Sequence, residues 1–207
     1  MIQDNIWNEL QYSSDLTRVE RDCLIYYWRE LQKKAPLVPL IYLEIGVFFG
    51  GTFKMMLDEM KANQSGYAVG IDLFETHVNA DDNTHVGGTC FLQELQDDLT
   101  AKGYPNFRLI KGNSYDEILK LASIPYGLVF IDGNHTYKNT MLDFLTAYAH
   151  IQSGYFVFHN SCNNQWPDTE YIQKDGGPHW VVKTILANIP AIQLCGQYDR
   201  SAVLYKP

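Results

Sequence analysis

No stretch of this chain is long and apolar enough to suggest a membrane span, and residues Met1 to Leu10 hold no apolar leader segment. Cysteine is sparse: Cys23, Cys90, Cys162 and Cys195 stand alone, with no CxxC pair among them. Scattered thiols argue against a disulfide frame or a zinc knuckle and for a reducing, cytoplasmic setting. Positive charge is also scarce. The 16 Lys and Arg face 24 Asp and Glu, for a formal net charge of −8. That balance argues against a protein that tracks nucleic-acid phosphates, so neither nucleic acid nor membrane is expected as a partner. Internal repeats and low-complexity tracts are missing too.

What is present fits one domain over residues 1–207, large enough for a sizeable core. Residues 1–36 read as an N-terminal helical extension. Within it Leu16, Val19, Cys23, Tyr27 and Leu31 follow helical spacing over Ser14 to Lys34, and Ala35-Pro36 stops them. This helix can pack on a sheet edge or pair two copies into a homodimer. Apolar strands and amphipathic helices then alternate. Strands are predicted at Leu40–Ile45, Tyr67–Asp72, Phe107–Lys111, Leu128–Asp132 and Tyr155–His159. Helices are predicted at Thr52–Lys61, Thr89–Lys102, Tyr115–Leu121, Thr136–Ile151 and Trp180–Asn188. Glu75–Gly88 reads as a polar loop. Residues 161–178 are too long and polar for an ordinary connection and read as a substrate lid, with Trp166, Tyr171, His179 and Trp180 as candidate walls. Ile192–Cys195 and Ala202–Tyr205 read as closing strands around a turn at Gly196–Ser201. The pattern predicts an α/β fold: a mostly parallel sheet of about seven strands, helices on both faces, and a C-terminal antiparallel hairpin.

Two loops at strand ends carry the chemistry. The first, Glu44-Ile45-Gly46-Val47-Phe48-Phe49-Gly50-Gly51-Thr52, joins a strand to a helix N-terminus. Its glycines let backbone approach a ligand closely, in the crevice past the carboxyl ends of strands. The dinucleotide pattern G-x-G-x-x-G is not met: Phe48 stands where the second glycine belongs and crowds a pyrophosphate. A plain tight turn would look the same. Asp72 ends the second strand, where a carboxylate can take both ribose hydroxyls of an adenosine. Asn113 and Ser114 follow the third strand and can edge a base or cap the next helix.

The second loop is Phe130-Ile131-Asp132-Gly133-Asn134-His135-Thr136-Tyr137. An apolar strand delivers Asp132 to the sheet edge, Gly133 permits a sharp turn, and His135 follows near the same mouth. A carboxylate and an imidazole so placed can bind a cation and take a proton. Helix capping by Asp132 with a solvated His135 is the plain reading. His159 and Asn160 end the fifth strand at the same edge. Either could join Asp132 in a weak hard-cation site, or serve ordinary loop hydrogen bonding.

Together these motifs resemble class I S-adenosyl-L-methionine (SAM)-dependent methyltransferases, over roughly Leu40 to Tyr205. The likeness is greatest to the macrocin and sugar O-methyltransferases and the cephalosporin-hydroxylase-like proteins. It implies a Rossmann-like fold and methyl transfer from SAM to a hydroxyl of a small molecule, such as a sugar, a phenol or a natural product. In such enzymes Glu44 would fix the glycine loop and the methionine end of SAM. Gly46, Gly50 and Gly51 would line the amino-acid moiety, with Phe48 and Thr52 completing the cradle. Asp72 would hold the ribose, and Asn113 and Ser114 would lie beside adenine. Asp132 would bind metal, Mg2+ in the metal-assisted members, and His135 would be the general base. Metal-dependent members usually end the fifth strand with one or two acidic residues. Here the pair is His159-Asn160, and the lost negative charge weakens a divalent site. A SAM-binding protein without catalysis and a nicotinamide-dependent oxidoreductase are the competing readings.

Overall fold

The computed structural model describes residues 16–74, 77–78, 85–86, 89–104, 106–162 and 176–207. Its first helix, α1 (Arg18–Lys34), starts on a capping box. The Thr17 hydroxyl accepts from the Glu20 backbone, and the Glu20 carboxylate accepts from the Thr17 N–H. Cys23, Leu24, Tyr27, Trp28 and Leu31 form its buried stripe. Alternation follows: β1 (Leu40–Ile45), α2 (Gly51–Asn63), β2 (Tyr67–Asp72), then two short strands, β3 (His77–Val78) and β4 (His85–Val86). Next come α3 (Thr89–Ala101), β5 (Phe107–Lys111), α4 (Ser114–Ile118), β6 (Ile124–Ile131), α5 (Tyr137–His150) and β7 (Ile151–Phe158). The chain closes with α6 (Gly177–Asn188), β8 (Gln193–Tyr198) and β9 (Ser201–Lys206).

The main sheet has seven strands in the order β5-β2-β1-β6-β7-β9-β8. All its pairs are parallel except those that β9 makes with β7 and β8. This is the expected mostly parallel sheet with an antiparallel closing hairpin. Strand periodicity then sorts the core into two layers. Tyr42, Leu128 and Phe130 face α1 and α2, while Leu43, Val129 and Ile131 face α5 and α6. Helices therefore cover both faces. No helix among the described residues is long and apolar enough to cross a membrane.

Several boundaries differ from the sequence expectation. β6 begins at Ile124 rather than Leu128, and β7 begins at Ile151 rather than Tyr155, because Ile124 pairs with Ile151 and Tyr126 with Ser153. Pro125, Gly127 and Gly154 read as punctuation, yet sheet pairing overrides that signal. A Cβ on Gly154 would stand 1.9 Å from the Gly127 carbonyl oxygen, so the strands use these glycines to close up. β8 runs on to Tyr198 through a register shift at Leu194/Gly196, which leaves only Asp199 and Arg200 for the turn. The Glu75–Gly88 segment carries the small antiparallel pair of β3 and β4. Ser14 and most of the expected lid, with Trp166 and Tyr171, lie outside the described residues, and α6 begins at Gly177, within the lid's expected end.

The N-terminal helix is fastened to the sheet by a buried charge. The Glu20 carboxylate, 1% exposed, accepts from the Ser201 hydroxyl at 2.8 Å and from Arg200 at 3.4 Å, besides its cap bond. Replacing it removes a partner from several buried groups at once. Glu20→Ala is expected to cost about 3 kcal/mol, read as a lower urea midpoint. Glu20→Gln, which preserves the capping box, should cost distinctly less.

Candidate functional site

The strand order turns around between β1 and β6, so the loops leaving these strands diverge and a crevice opens at their carboxyl ends. Backbone bonds hold its floor: Gly46 N–H donates to Ile71 O at 2.9 Å and Asp132 N–H to Ile45 O at 2.8 Å. Gly46 has φ +87°, and a Cβ there would stand 2.2 Å from the Asp132 carbonyl oxygen. Only glycine fits both the backbone angle and the gap. Gly50, also left-handed, caps α2. Phe48 takes the left-handed region as well, at φ 49°, and is half exposed at the mouth.

The crevice is a cavity of about 560 Å³. Glu44, Gly46, Phe48, Gly51, Thr52, Asp72, Asn113, Ser114, Asp132 and His135 all line it, whereas Gly50, His159 and Asn160 are not among the lining residues. Among the described residues the lining includes Glu44, Asp72, Asp132 and Asp143 but no Lys or Arg. Each carboxylate is held differently. Asp72 organises the first loop: its Oδ2 accepts from the backbone N–H groups of Val47 at 2.8 Å and Phe48 at 2.9 Å, and its Oδ1 from that of Phe74 at 2.7 Å. Glu44 is 1% exposed and accepts from the Tyr42 hydroxyl at 2.6 Å. Burial pushes its carboxyl well above the usual range, despite that hydrogen bond.

Asp132 is the centre of a second cluster. Its Oδ1 pairs with His135 Nε2 at 3.2 Å and with His159 Nδ1 at 2.7 Å. Burial alone would raise this carboxyl, but the hydrogen bonds from His135 and His159 outweigh it and hold the group below its ordinary value. His159 is 2% exposed; its Nε2 faces inward, 3.6 Å from Glu20 Oε1, with no hydrogen-bond partner. His135 is held from behind. Gly177 N–H donates to the His135 carbonyl at 3.0 Å, and a Cβ on Gly177 would stand 2.2 Å from that oxygen. At the start of α6, His179 donates through Nδ1 to Ser161 O at 2.8 Å, and Trp180 is 43% exposed.

Sequence reasoning missed three residues of this region. Glu20 and Asp143 each sit on the buried stripe of a helix, where a charge is out of place; Asp143 shares its stripe with Thr140, Phe144 and Ala147. That misfit was a readable signal, as was the Thr17-x-x-Glu20 capping box. Gly177 gave none, since only the folded chain brings it to His135.

Asp143 is 2% exposed and accepts a short hydrogen bond from the Ser114 hydroxyl. Burial lifts its carboxyl to about 6, against the lowering effect of Ser114. The folded chain thus holds the proton more tightly than the unfolded chain. The group favours folding below about pH 4, and that contribution is lost as pH rises through about 6. Asp143→Asn should therefore stabilise the ligand-free protein at pH 7.5 by roughly 3 kcal/mol or less, with the gain vanishing near pH 4. Thermal melts of both proteins across this range check it.

Comparison with known proteins agrees with the geometry. The O-methyltransferase NovP superposes with a TM-score of 0.67 at 14% identity, over 90% of this chain and 79% of NovP. The O-methyltransferase TomG from Streptomyces achromogenes, involved in tomaymycin synthesis and solved in complex with SAM, gives 0.63 at 17% identity, over 92% of this chain and 81% of its own. At such identities the likeness is one of fold. An uncharacterized protein of Acanthamoeba polyphaga mimivirus is 30% identical over 138 residues, 61% of this chain. The chain spans about half the length of that relative, 54%. A family model described as a methyltransferase domain matches residues 43–161, which include the glycine loop, Asp72, the Asp132–His135 loop and the end of β7. More than half of the sequence thus fits that model, and the chain belongs to the methyltransferase-domain family.

Proposed function

We propose that this protein transfers a methyl group from SAM to a hydroxyl of a small molecule. The observation that carries the reading is the acidic lining of the cavity: Glu44, Asp72, Asp132 and Asp143 line it, and among the described residues no Lys or Arg does. A cofactor bearing an ammonium and a sulfonium suits such walls. A dinucleotide does not, since its pyrophosphate would meet carboxylates and the Phe48 side chain. Gly46 lets the first loop lie against the Asp132 backbone, where a Cβ would clash, and so keeps the two sides of the cradle together.

Glu44 and the Gly46–Thr52 loop would hold the amino-acid end, Asp72 the ribose, and Asn113 with Ser114 the base. When bound, SAM supplies a methyl group already activated on a positively charged sulfur. The chain must orient the acceptor and remove its proton. His135 is the base: half-buried at the mouth, it takes the hydroxyl proton as the oxygen attacks. Asp132 holds that imidazole and stabilises its charged form. His159 holds Asp132 in turn, and a general base of this kind contributes typically about 10²–10⁴-fold.

The residues present do not fit a magnesium ion. Asp132, His135 and His159 bring their ligand atoms within 4.8 Å of one another, but only one is a carboxylate. Magnesium seeks oxygen, and imidazole nitrogen suits borderline ions instead. His159 moreover spends its Nδ1 on Asp132 and turns its Nε2 toward Glu20. Asn160 lies outside the cavity lining. No step here depends on a metal.

Titration calorimetry with S-adenosylhomocysteine (SAH) tests the cofactor. Binding is expected with EDTA or with magnesium alike, and Asp72→Ala should weaken it at least about tenfold. Absence of binding in both buffers would falsify the reading. In a methyl-transfer assay on a panel of sugars and phenols, His135→Ala should lower kcat by about 10²–10⁴-fold and leave SAH affinity near wild type. Full activity of that variant removes His135 from the mechanism.

A further inference from the structure

Glu20 lies outside the cavity lining, yet it is buried more deeply than a helix cap requires. A capping-box carboxylate serves as well at an exposed helix start, and burying a charge is costly. The carboxylate divides its two oxygens. Its Oε2 accepts from the Thr17 N–H at 2.9 Å and from Arg200 at 3.4 Å. Its Oε1 accepts from the Ser201 hydroxyl at 2.8 Å and faces His159 Nε2 at 3.6 Å. Arg200 lies in the β8–β9 turn, and that turn also holds the chain that follows β7. The Ser161 and Cys162 N–H groups donate to Arg200 O at 2.8 and 3.0 Å. One turn thus fixes both Glu20 and the backbone beside His159.

The His159 ring stands between two carboxylates. Its Nδ1 is 2.7 Å from Asp132 Oδ1. Its Nε2 meets no hydrogen-bond partner among the described residues and has Glu20 before it. Turned over about its Cβ–Cγ bond, the ring would set carbon atoms against both carboxylates. The two acids together therefore select one ring orientation. The effect reaches the base, because Asp132 Oδ1 is also the oxygen 3.2 Å from His135 Nε2. As an acceptor, Asp132 keeps the His135 proton on Nε2 and makes Nδ1 the atom that takes a proton. A His159 ring that swings away releases Asp132, and with it the hold on that tautomer.

We propose that Glu20 is a positioning residue for the His135 base: from the N-terminal helix it fixes the His159 ring, which fixes Asp132, which sets the tautomer of His135. Glu20 touches neither the cavity nor a reacting atom and works only through these two side chains. The inference rests on the reading of His135 as the base. It gives the docking of α1 on the closing hairpin a part in the chemistry as well as in stability.

The test is NMR of the imidazole nitrogens in the full chain with 15N-labelled histidine at pH 7.5, the His135 signals being assigned by their loss in His135→Gln. Wild type is expected to hold the His135 proton on Nε2. Glu20→Gln should shift His135 toward the other tautomer, although the substitution lies two side chains away. Thr17→Ala, which weakens the same helix cap but keeps the Glu20 carboxylate, should leave the His135 signals in place. His159→Asn keeps a donor for Asp132 and lacks the atom that faces Glu20, so adding Glu20→Gln to it should move His135 no further. Should Glu20→Gln fold poorly, Glu20→Asp, which draws the charge back from the ring, is read in the same way. With an acceptor methylated by wild type, Glu20→Gln should lower kcat about tenfold and leave SAH affinity within about twofold. His135 signals unmoved in the folded Glu20 variant, or moved equally with His159→Asn present, overturn the positioning role. Failure of wild type to bind SAH overturns the cofactor reading, while the histidine signals still decide the part of Glu20.

Discussion

Everything at the carboxyl edge of the sheet hangs on how closely two backbones approach. Gly46 leaves β1 so near the Asp132 carbonyl that a single added carbon would stand 2.2 Å from it. That contact, with the Asp132 N–H on Ile45 O, sets the two chemical loops against one another. Because β1 is paired with β2 on one side and β6 on the other, the loops must then turn away in opposite directions. The crevice between them follows from the topology. A bulkier residue at Gly46 would push the two loops apart as well as strain the turn.

The walls of that crevice concentrate negative charge, and the protein manages it group by group. Asp72 is tied down by three backbone N–H groups, which costs the loop its freedom but fixes its shape. Asp132 is kept charged by two imidazoles. Glu44 and Asp143, deeper and with fewer donors, are pushed toward their neutral forms. An acidic cavity poor in donors is destabilising when empty. Under the proposed function, a cationic ligand that brings donors would offset that cost.

The N-terminal helix belongs to the site more than its position in the chain suggests. Glu20 caps α1, bonds Ser201 of the last strand, and stands 3.6 Å from the inner nitrogen of His159. His159 in turn grips Asp132 at 2.7 Å. A helix end, the closing hairpin and the Asp132 loop thus meet through two buried side chains. His159 is part of this brace: one imidazole nitrogen serves Asp132 and the other turns to the helix.

The sequence by itself determined the alternation of strands and helices, the parallel sheet and the antiparallel hairpin, because periodicity and glycine or proline punctuation are local properties of the chain. It also marked Gly46, Asp72, Asp132 and His135, whose residue types at strand ends are unusual without a ligand or a turn to serve. Strand ends at Ile124 and Ile151 were hidden, since Pro125, Gly127 and Gly154 are turn residues until a neighbouring strand pairs with them. Only the tertiary structure brought Glu20 to His159, Gly177 to the His135 carbonyl, and Asp143 to Ser114. These contacts join residues 29 to 139 positions apart, and no local pattern encodes a partner at such separation. What a buried charge does depends on which donors the fold places around it, and that is settled only when the layers close.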